Sequence, residues 1–322
     1  MLASLLATVA LAPGLAAPPA ATASAPAGTL MGVNAGTEVL DLRGARAMDA
    51  KVVRFSVRAS TPRVRWLLAW DRRYARLGIR LQPVMTFDGG MLSAREAKGL
   101  VALARLPGVT DIELGNETSY GYQYGDGYAD ASYRRRARVY AVRVKEAAEA
   151  LNPHGIGVLA QADDGGSGSS TWVREMFASV PHLSRYVAAW AIHPYTNQRT
   201  ASAPDTLGVP KMRRMVAQLA AVGDRSTPIA VTEWGVASDA GRALDDGGRL
   251  TSAEAATILE TTVPKVLAGI GSHPLQSFLL YQLRDRAPHG RSSSHEMYFG
   301  ALSRSDRSKG PFTVAAKQLL SG

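Results

Sequence analysis

No cysteine occurs among the 322 residues, so neither disulfides nor thiolate metal sites can form and the fold must rest on its core. Histidine is scarce. The six, at positions 154, 182, 193, 273, 289 and 295, show no HExxH or comparable ligand spacing, which argues against a catalytic metal. No cofactor is expected. The glycines after the first apolar run, Gly32-Val-Asn-Ala-Gly36, lack the GxGxxG spacing of a dinucleotide turn. Ser119, Ser170 and Ser292 lie in no GxSxG context, so a serine hydrolase finds little support. No repeat of fixed period is evident, and beyond the N-terminal segment no stretch is long and apolar enough to cross a bilayer.

Acidic residues are in the minority, 27 against 37 Lys and Arg, giving a net charge of +10. Such a surface attracts anionic polymers or an anionic envelope. The Arg134-Arg135-Arg136-Ala-Arg138 cluster has no interleaved aromatics to stack bases, so nucleic acid is not an expected partner. The first 25 residues carry no charge at all. They run through Leu5, Leu6, Val9, Leu11 and Leu15 to the small residues Ala23-Ser24-Ala25, the pattern of a secretory signal peptide, although no Lys or Arg precedes the apolar stretch. Pro13, Gly14, Pro18 and Pro19 interrupt a run already too short to span a membrane. The expectation is a leader over residues 1–25 and a catalytic domain over 26–322. The product is then secreted or associated with the cell envelope, without an integral membrane segment, and monomeric.

Apolar residues make up 46% of the chain, enough for a substantial core. Short apolar runs alternate with helical patterns eight times. The predicted strands are Leu30–Asn34, Val52–Val57, Arg80–Thr86, Asp111–Gly115, Gly157–Ala160, Ala188–His193, Ile229–Glu233 and Ser277–Gln282. The predicted helices are Arg65–Leu77, Ala94–Leu106, Ser132–Leu151, Ser170–Ser179, Lys211–Val222, Ser252–Leu267 and Val314–Leu320; the segment between the first two strands is too short to predict one. Alternating strands and helices imply parallel β with crossover helices, and eight units on this length predict an α/β fold, a (β/α)8 TIM barrel forming a single domain.

Active sites of such barrels form where the strands end. Those ends read Asn34, Arg54 to Arg58, Asp88-Gly89-Gly90, Asn116-Glu117, Asp163-Asp164, His193-Pro194-Tyr195, Glu233-Trp234, and Tyr281-Gln282 with Asp285. Carboxylates, amides and aromatics therefore gather on one rim, as recognising and cleaving a sugar requires. Cleaving a glycosidic bond takes two carboxyl groups, and Glu117 and Glu233 end opposed strands four and seven. Glu113 has the parity to point into the barrel below Glu117, where a structural partner such as an arginine is expected. Trp190 has the outward parity of a core packer, whereas Trp66 and Trp234 are candidates to stack on sugar. Tyr120-Gly-Tyr-Gln-Tyr-Gly-Asp-Gly-Tyr128 reads equally as a sugar-stacking lip or an ordinary glycine-rich loop.

Ile112-Glu-Leu-Gly-Asn-Glu117 resembles the Asn-Glu motif of glycoside hydrolase clan A, and Ile229-Ala-Val-Thr-Glu-Trp-Gly235 resembles that clan's strand-seven nucleophile motif. His193-Pro-Tyr195 is similar to its strand-six His-x-Tyr, Arg54 matches its strand-two arginine, and Tyr298-Phe-Gly300 through Lys309-Gly-Pro311 resembles its closing segment. The motifs run in register over nearly the whole mature chain. The resemblance implies Glu117 as acid and then base, and Glu233 as the ionised nucleophile of a retaining mechanism. It implies Asn116 on the sugar 2-hydroxyl, Arg54 and Tyr195 orienting Glu233, and His193 supporting the site. The wider set of substrate-binding candidates adds Trp234, Tyr281, Asn34 and Asp88. Two departures stand out: Thr118 where the clan often has Pro, and Tyr281 nearest the place of its strand-eight Trp. The expected partner is a poly- or oligosaccharide substrate. A catalytically silent barrel that binds envelope polysaccharide is the alternative, against which the presence of both glutamates argues.

Overall fold

The computed structural model describes residues 28–35, 41–87, 89, 91–120, 132–162, 171–194, 208–241 and 250–322. The expected leader lies outside them. Strands and helices alternate throughout: β1 Leu30–Asn34, α1 Leu42–Ala47, β2 Val52–Arg58, α2 Val64–Ala75, β3 Arg80–Thr86, α3 Ala94–Leu103, β4 Asp111–Leu114 and α4 Tyr133–Leu151. The second half repeats the pattern as β5 Gly157–Gln161, α5 Trp172–Ser179, β6 Ala189–Ile192, α6 Val209–Ala221, β7 Ile229–Trp234, α7 Ser252–Ala268, β8 Leu275–Leu280 and α8 Pro311–Ser321. All eight strands pair in parallel in sequence order, and β8 closes on β1, so the expected (β/α)8 barrel is present. Among the described residues no helix is long and apolar enough to cross a membrane.

Alternation within each strand builds two layers. Outward residues such as Val53, Leu81, Ile112, Val158, Trp190 and Val231 join the large core between sheet and helices. Inward Leu159, Ala189, Ala191 and Ala230 form a second, small cluster. The small side chains inside leave room for the polar residues nearer the mouth. Trp190 packs outward as its parity predicts, with Nε1 donating to Asp224 at 2.8 Å.

Local signals fix the helices. Ser93 with Glu96 starts α3, and Thr251 with Glu254 starts α7, each as a reciprocal capping box. The segment judged too short for a helix forms α1, six residues entered through Asp41, whose side chain accepts from the Gly44 N–H. Residues 299–310 close the barrel after β8. Lys309 Nζ donates to Asp285 Oδ1 at 3.1 Å and to the Tyr298 carbonyl at 3.2 Å, while Gly300 N–H donates to the same Asp285 oxygen at 2.8 Å. Asp285 is thus buried in a structural pair behind the rim.

Candidate active site

β2 carries Arg54 into the barrel interior, and its guanidinium organises the site. Nε donates to Glu113 Oε2 at 2.6 Å and Nη2 to Oε1 at 3.0 Å, a bidentate pair of the kind a planar fork favours. Nη1 donates to Asn34 Oδ1 at 2.7 Å and also to Glu233. Nη2 further donates to Asn116 Oδ1 at 2.8 Å. One buried cation therefore touches the ends of β1, β4 and β7.

Glu113 is fully enclosed, with the arginine partner its parity predicts. It also accepts from Gln161 Nε2, from Thr232 Oγ1 at 3.1 Å and from Gln82 Nε2 at 3.4 Å. Burial opposes its ionisation, but the charge of Arg54 and the hydrogen bonds from His193 and Arg54 outweigh that and pull its pKa to about 2. Arg54 responds in kind: burial works against its charge, and Glu113 and Glu233 more than compensate, raising its pKa.

His193 sits at the end of β6, also fully enclosed. Its Nδ1 lies 3.5 Å from Glu117 Oε1 and 3.7 Å from Glu233 Oε2, and its Nε2 lies 3.1 Å from Thr232 Oγ1 and 3.6 Å from Glu113 Oε1. Burial disfavours a charged ring, yet the negative charge of Glu233 and the hydrogen bonds to Glu113 and Glu117 lift its pKa to about 9. Nε2 is hydrogen-bonded to Thr232 Oγ1, which in turn donates to Glu113 Oε1, while Nδ1 faces the two other glutamates.

Glu117 and Glu233 meet at that imidazole. Both oxygens contact one nitrogen, so they stand at most about 7 Å apart; retaining glycosidases hold their carboxyl groups about 5–5.5 Å apart and inverting ones about 6.5–9.5 Å. Their settings differ. The Glu117 side chain is 24% exposed and that of Glu233 10%, and it is Glu233 that is ion-paired with Arg54. Asn116 is oriented by Arg54, which holds its Oδ1.

The backbone explains how Glu117 is presented. After β4 the chain turns through Gly115 at φ 76°, where a Cβ would stand 2.3 Å from Thr118 Cγ2. Thr118, the departure from Pro, is buried against that turn. Glu117 itself adopts φ 49°, a left-handed conformation that costs a non-glycine residue about 1–2 kcal/mol.

β7 departs from strict alternation. Val231 pairs with Phe278 and Trp234 with Leu280, three residues against two, which is a β-bulge. Thr232 and Glu233 consequently both face the interior, and Trp234 is carried outward. The expectation that Trp234 contacts substrate is therefore corrected: its ring is fully buried, 6.1 Å from that of Phe278. Asn34, another substrate candidate, is 3% exposed and uses its amide on Arg54 and on the Thr232 carbonyl, so it stands in the supporting frame. Arg54 and His193 likewise lie beneath the carboxylates. Trp66 is exposed on α2.

Tyr281 follows β8, half-buried, its ring edge-on to Phe299 at 5.5 Å and its hydroxyl accepting from Arg286 Nη2 at 2.5 Å. Burial and the charge of Glu233 raise its pKa, so it stays a neutral phenol beside the carboxylates. Gly235 allows this approach: a Cβ there would fall 1.9 Å from the Tyr281 carbonyl oxygen. Tyr195, Asp88, Asp163, Asp164 and residues 121–128 of the tyrosine-rich run lie outside the described residues. Sequence reasoning missed Gln82, Gln161 and Thr232. Inward parity on β3 and β5 was the available signal for the glutamines; for Thr232 the bulge hid it.

No family model matches this chain, and no curated protein matches it. Solved structures share its fold. A β-glucuronidase of Bacteroides uniformis aligns over 90% of this chain and 34% of its own, at 14% identity and a TM-score of 0.57. A Cellulomonas fimi endo-β-1,4-mannanase aligns over 90% of this chain and 70% of its own, at 14% identity and a TM-score of 0.55. A GH26 β-mannanase of Bacteroides ovatus aligns over 91% and 88%, at 12% identity and a TM-score of 0.53. The chain spans about a third of the Bacteroides uniformis protein. Identities this low speak to the barrel alone.

Proposed function

We propose that this chain is an exported retaining glycoside hydrolase of clan A type, acting on a poly- or oligosaccharide through a covalent glycosyl-enzyme intermediate. The observation that carries this reading is the convergence of Glu117 and Glu233, from strands across the barrel, on one nitrogen, His193 Nδ1. Glu233 is the nucleophile. Its ion pair with Arg54 fixes the carboxyl group at the mouth, from where it attacks the anomeric carbon. Glu117, the more exposed of the two, gives its proton to the departing oxygen and then takes one from water. Asn116 directs its amide donors to the sugar 2-hydroxyl, and Tyr281 offers a ring to the sugar face. Tyr195 is proposed to help orient Glu233, and Asp88 to contact substrate. Glycosidase folds among the structural neighbours, including the mannanases, accord with this chemistry. Residues 1–25 are taken as an export leader and 26–322 as one monomeric catalytic domain.

The test is a panel of aryl glycosides and polysaccharides, with the anomeric configuration of the first-formed product followed by NMR. Retention is expected. Glu233→Ala should lose several orders of magnitude in turnover, as loss of a covalent catalyst does, and azide should partly restore it with a glycosyl azide of inverted configuration. Near-normal turnover in Glu233→Ala overturns the assignment.

A further inference from the structure

A second surface, on the outer wall, has no part in the reaction above. Between α1 and α2 runs an open groove of about 740 Å³, lined by Arg43, Arg46, Arg73 and Arg76 with Leu42 and Leu77 along its apolar floor. All four arginines are exposed, and among the described residues none is in ion-pair contact with a carboxylate. The acids nearest in sequence are engaged elsewhere: Asp41 with Arg284, Asp49 with Lys317 at 3.3 Å, and buried Asp71 with the Gly108 N–H at 3.1 Å. Helix C-termini attract one or two cations through their exposed carbonyls. They do not account for four guanidiniums converging on one groove.

The groove continues along α2. Trp66, Trp70, Arg73 and Leu77 follow one another at spacings of four, three and four, which puts them on a single stripe. Trp66 and Trp70 meet edge-on at 6.0 Å, and the Arg73 guanidinium lies 5.2 Å from the Trp70 ring. Trp66 is 45% exposed and Leu77 40%, unusually bare for side chains of that size on a barrel helix. α2 starts after the mouth-side end of β2, so the stripe leads from the edge of the mouth down the wall into the arginine groove.

We infer that this stripe and groove form a secondary binding site for a uronic-acid-containing polysaccharide. The chemistry matches in both parts. Guanidinium forks take carboxylates in bidentate pairs, and indole faces take the apolar faces of pyranose rings. The groove is too open to enclose a small ligand, whereas a chain lying along it can meet several cations at once. The inference does not depend on the catalytic reading.

The test measures binding of polygalacturonate, with neutral dextran and polyphosphate as comparison polymers, by affinity electrophoresis or biolayer interferometry. The full chain should bind polygalacturonate with an affinity that falls steeply with salt, and dextran should not bind. Arg43→Gln/Arg46→Gln/Arg73→Gln/Arg76→Gln should lose roughly tenfold or more in affinity, since several charge-assisted contacts go together. A charge-matched control, Arg174→Gln/Arg185→Gln/Arg213→Gln/Arg225→Gln, should lose much less. Trp66→Ala should weaken binding several-fold while leaving the salt dependence unchanged. Circular dichroism confirms that the variants fold, which exposed positions permit. The proposal is overturned if polygalacturonate does not bind, if the control loses as much as the groove variant, or if Trp66→Ala is without effect and polyphosphate binds as well as polygalacturonate.

Discussion

At the scale of single residues, the two glutamates differ in what holds them, and the difference makes Glu117 testable apart from Glu233. Glu233 is ion-paired with a buried arginine, while Glu117 stands more open, on a left-handed turn whose neighbour Gly115 admits no side chain. An acid on such a turn matters only where the leaving group needs a proton. Glu117→Ala should therefore still form the glycosyl-enzyme from dinitrophenyl glycosides, whose leaving groups depart unaided, and should lose two or more orders of magnitude, roughly, on natural linkages. Stopped-flow bursts on activated substrates beside steady-state rates on oligosaccharides would separate the steps. A uniform loss across leaving groups would count against an acid/base role.

At the scale of elements, the clasp after β8 joins the last strand to the segment leading into α8. Its centre is the buried Lys309–Asp285 pair, and burial raises the pKa of Asp285 to about 6 even with its lysine in place. Removing one partner of a buried pair leaves a stranded charge and typically costs about 3–5 kcal/mol. Lys309→Met should destabilise the fold to that extent while the carboxyl is charged, and the loss should fade as pH falls, because the stranded carboxyl, its pKa raised further without the lysine, takes a proton. Adding Asp285→Asn, which keeps an oxygen for Gly300 N–H, should recover much of the loss. Urea unfolding of the single and double variants at two pH values checks both points. Equal destabilisation at both pH values would refute the stranded-charge account. The elements themselves were largely legible in the sequence. β1 and β3 have their predicted bounds: β1 opens as an apolar run, as a parallel strand buried on both faces does, and β3 keeps an apolar Pro-Val-Met stretch although Gln82 faces the interior. β8 begins two residues before its prediction, at half-buried Leu275 and Gln276, which carry no strong apolar signal. α1 escaped because six residues hold too little of the helical period, and its cap at Asp41 does the work instead. In the site, Glu117, Glu233 and His193 were readable as strand ends, and Arg54, inside β2, through the clan resemblance. Thr232 and the outward turn of Trp234 were not, since a bulge changes facing without changing composition.

For the whole molecule, the buried charges predict how stability depends on pH, and the two sides have separate owners. Glu113 has a folded pKa of about 2 against an ordinary 4.5, so its contribution is in place above 4.5 and is lost as pH falls toward 2. His193 runs the other way. Its folded pKa is about 9 against an ordinary 6.5, so its contribution is complete below 6.5 and is lost as pH rises through 9. Many carboxylates share the acid limb, but few groups titrate near 9, since lysines lie about 10.4 and tyrosines about 10 when unperturbed. The sign sharpens the test. The chain carries +10, and raising the pH reduces that self-repulsion, which by itself stabilises the compact state. A fall in the urea midpoint between about pH 7 and about pH 10 must then come from specific groups. His193→Gln keeps a hydrogen-bonding side chain and cannot become a cation. It should lower the midpoint at neutral pH and flatten the alkaline fall, so that wild type and variant draw together near pH 10. Parallel curves across that window would mean that His193 is not the cation holding three glutamates around it.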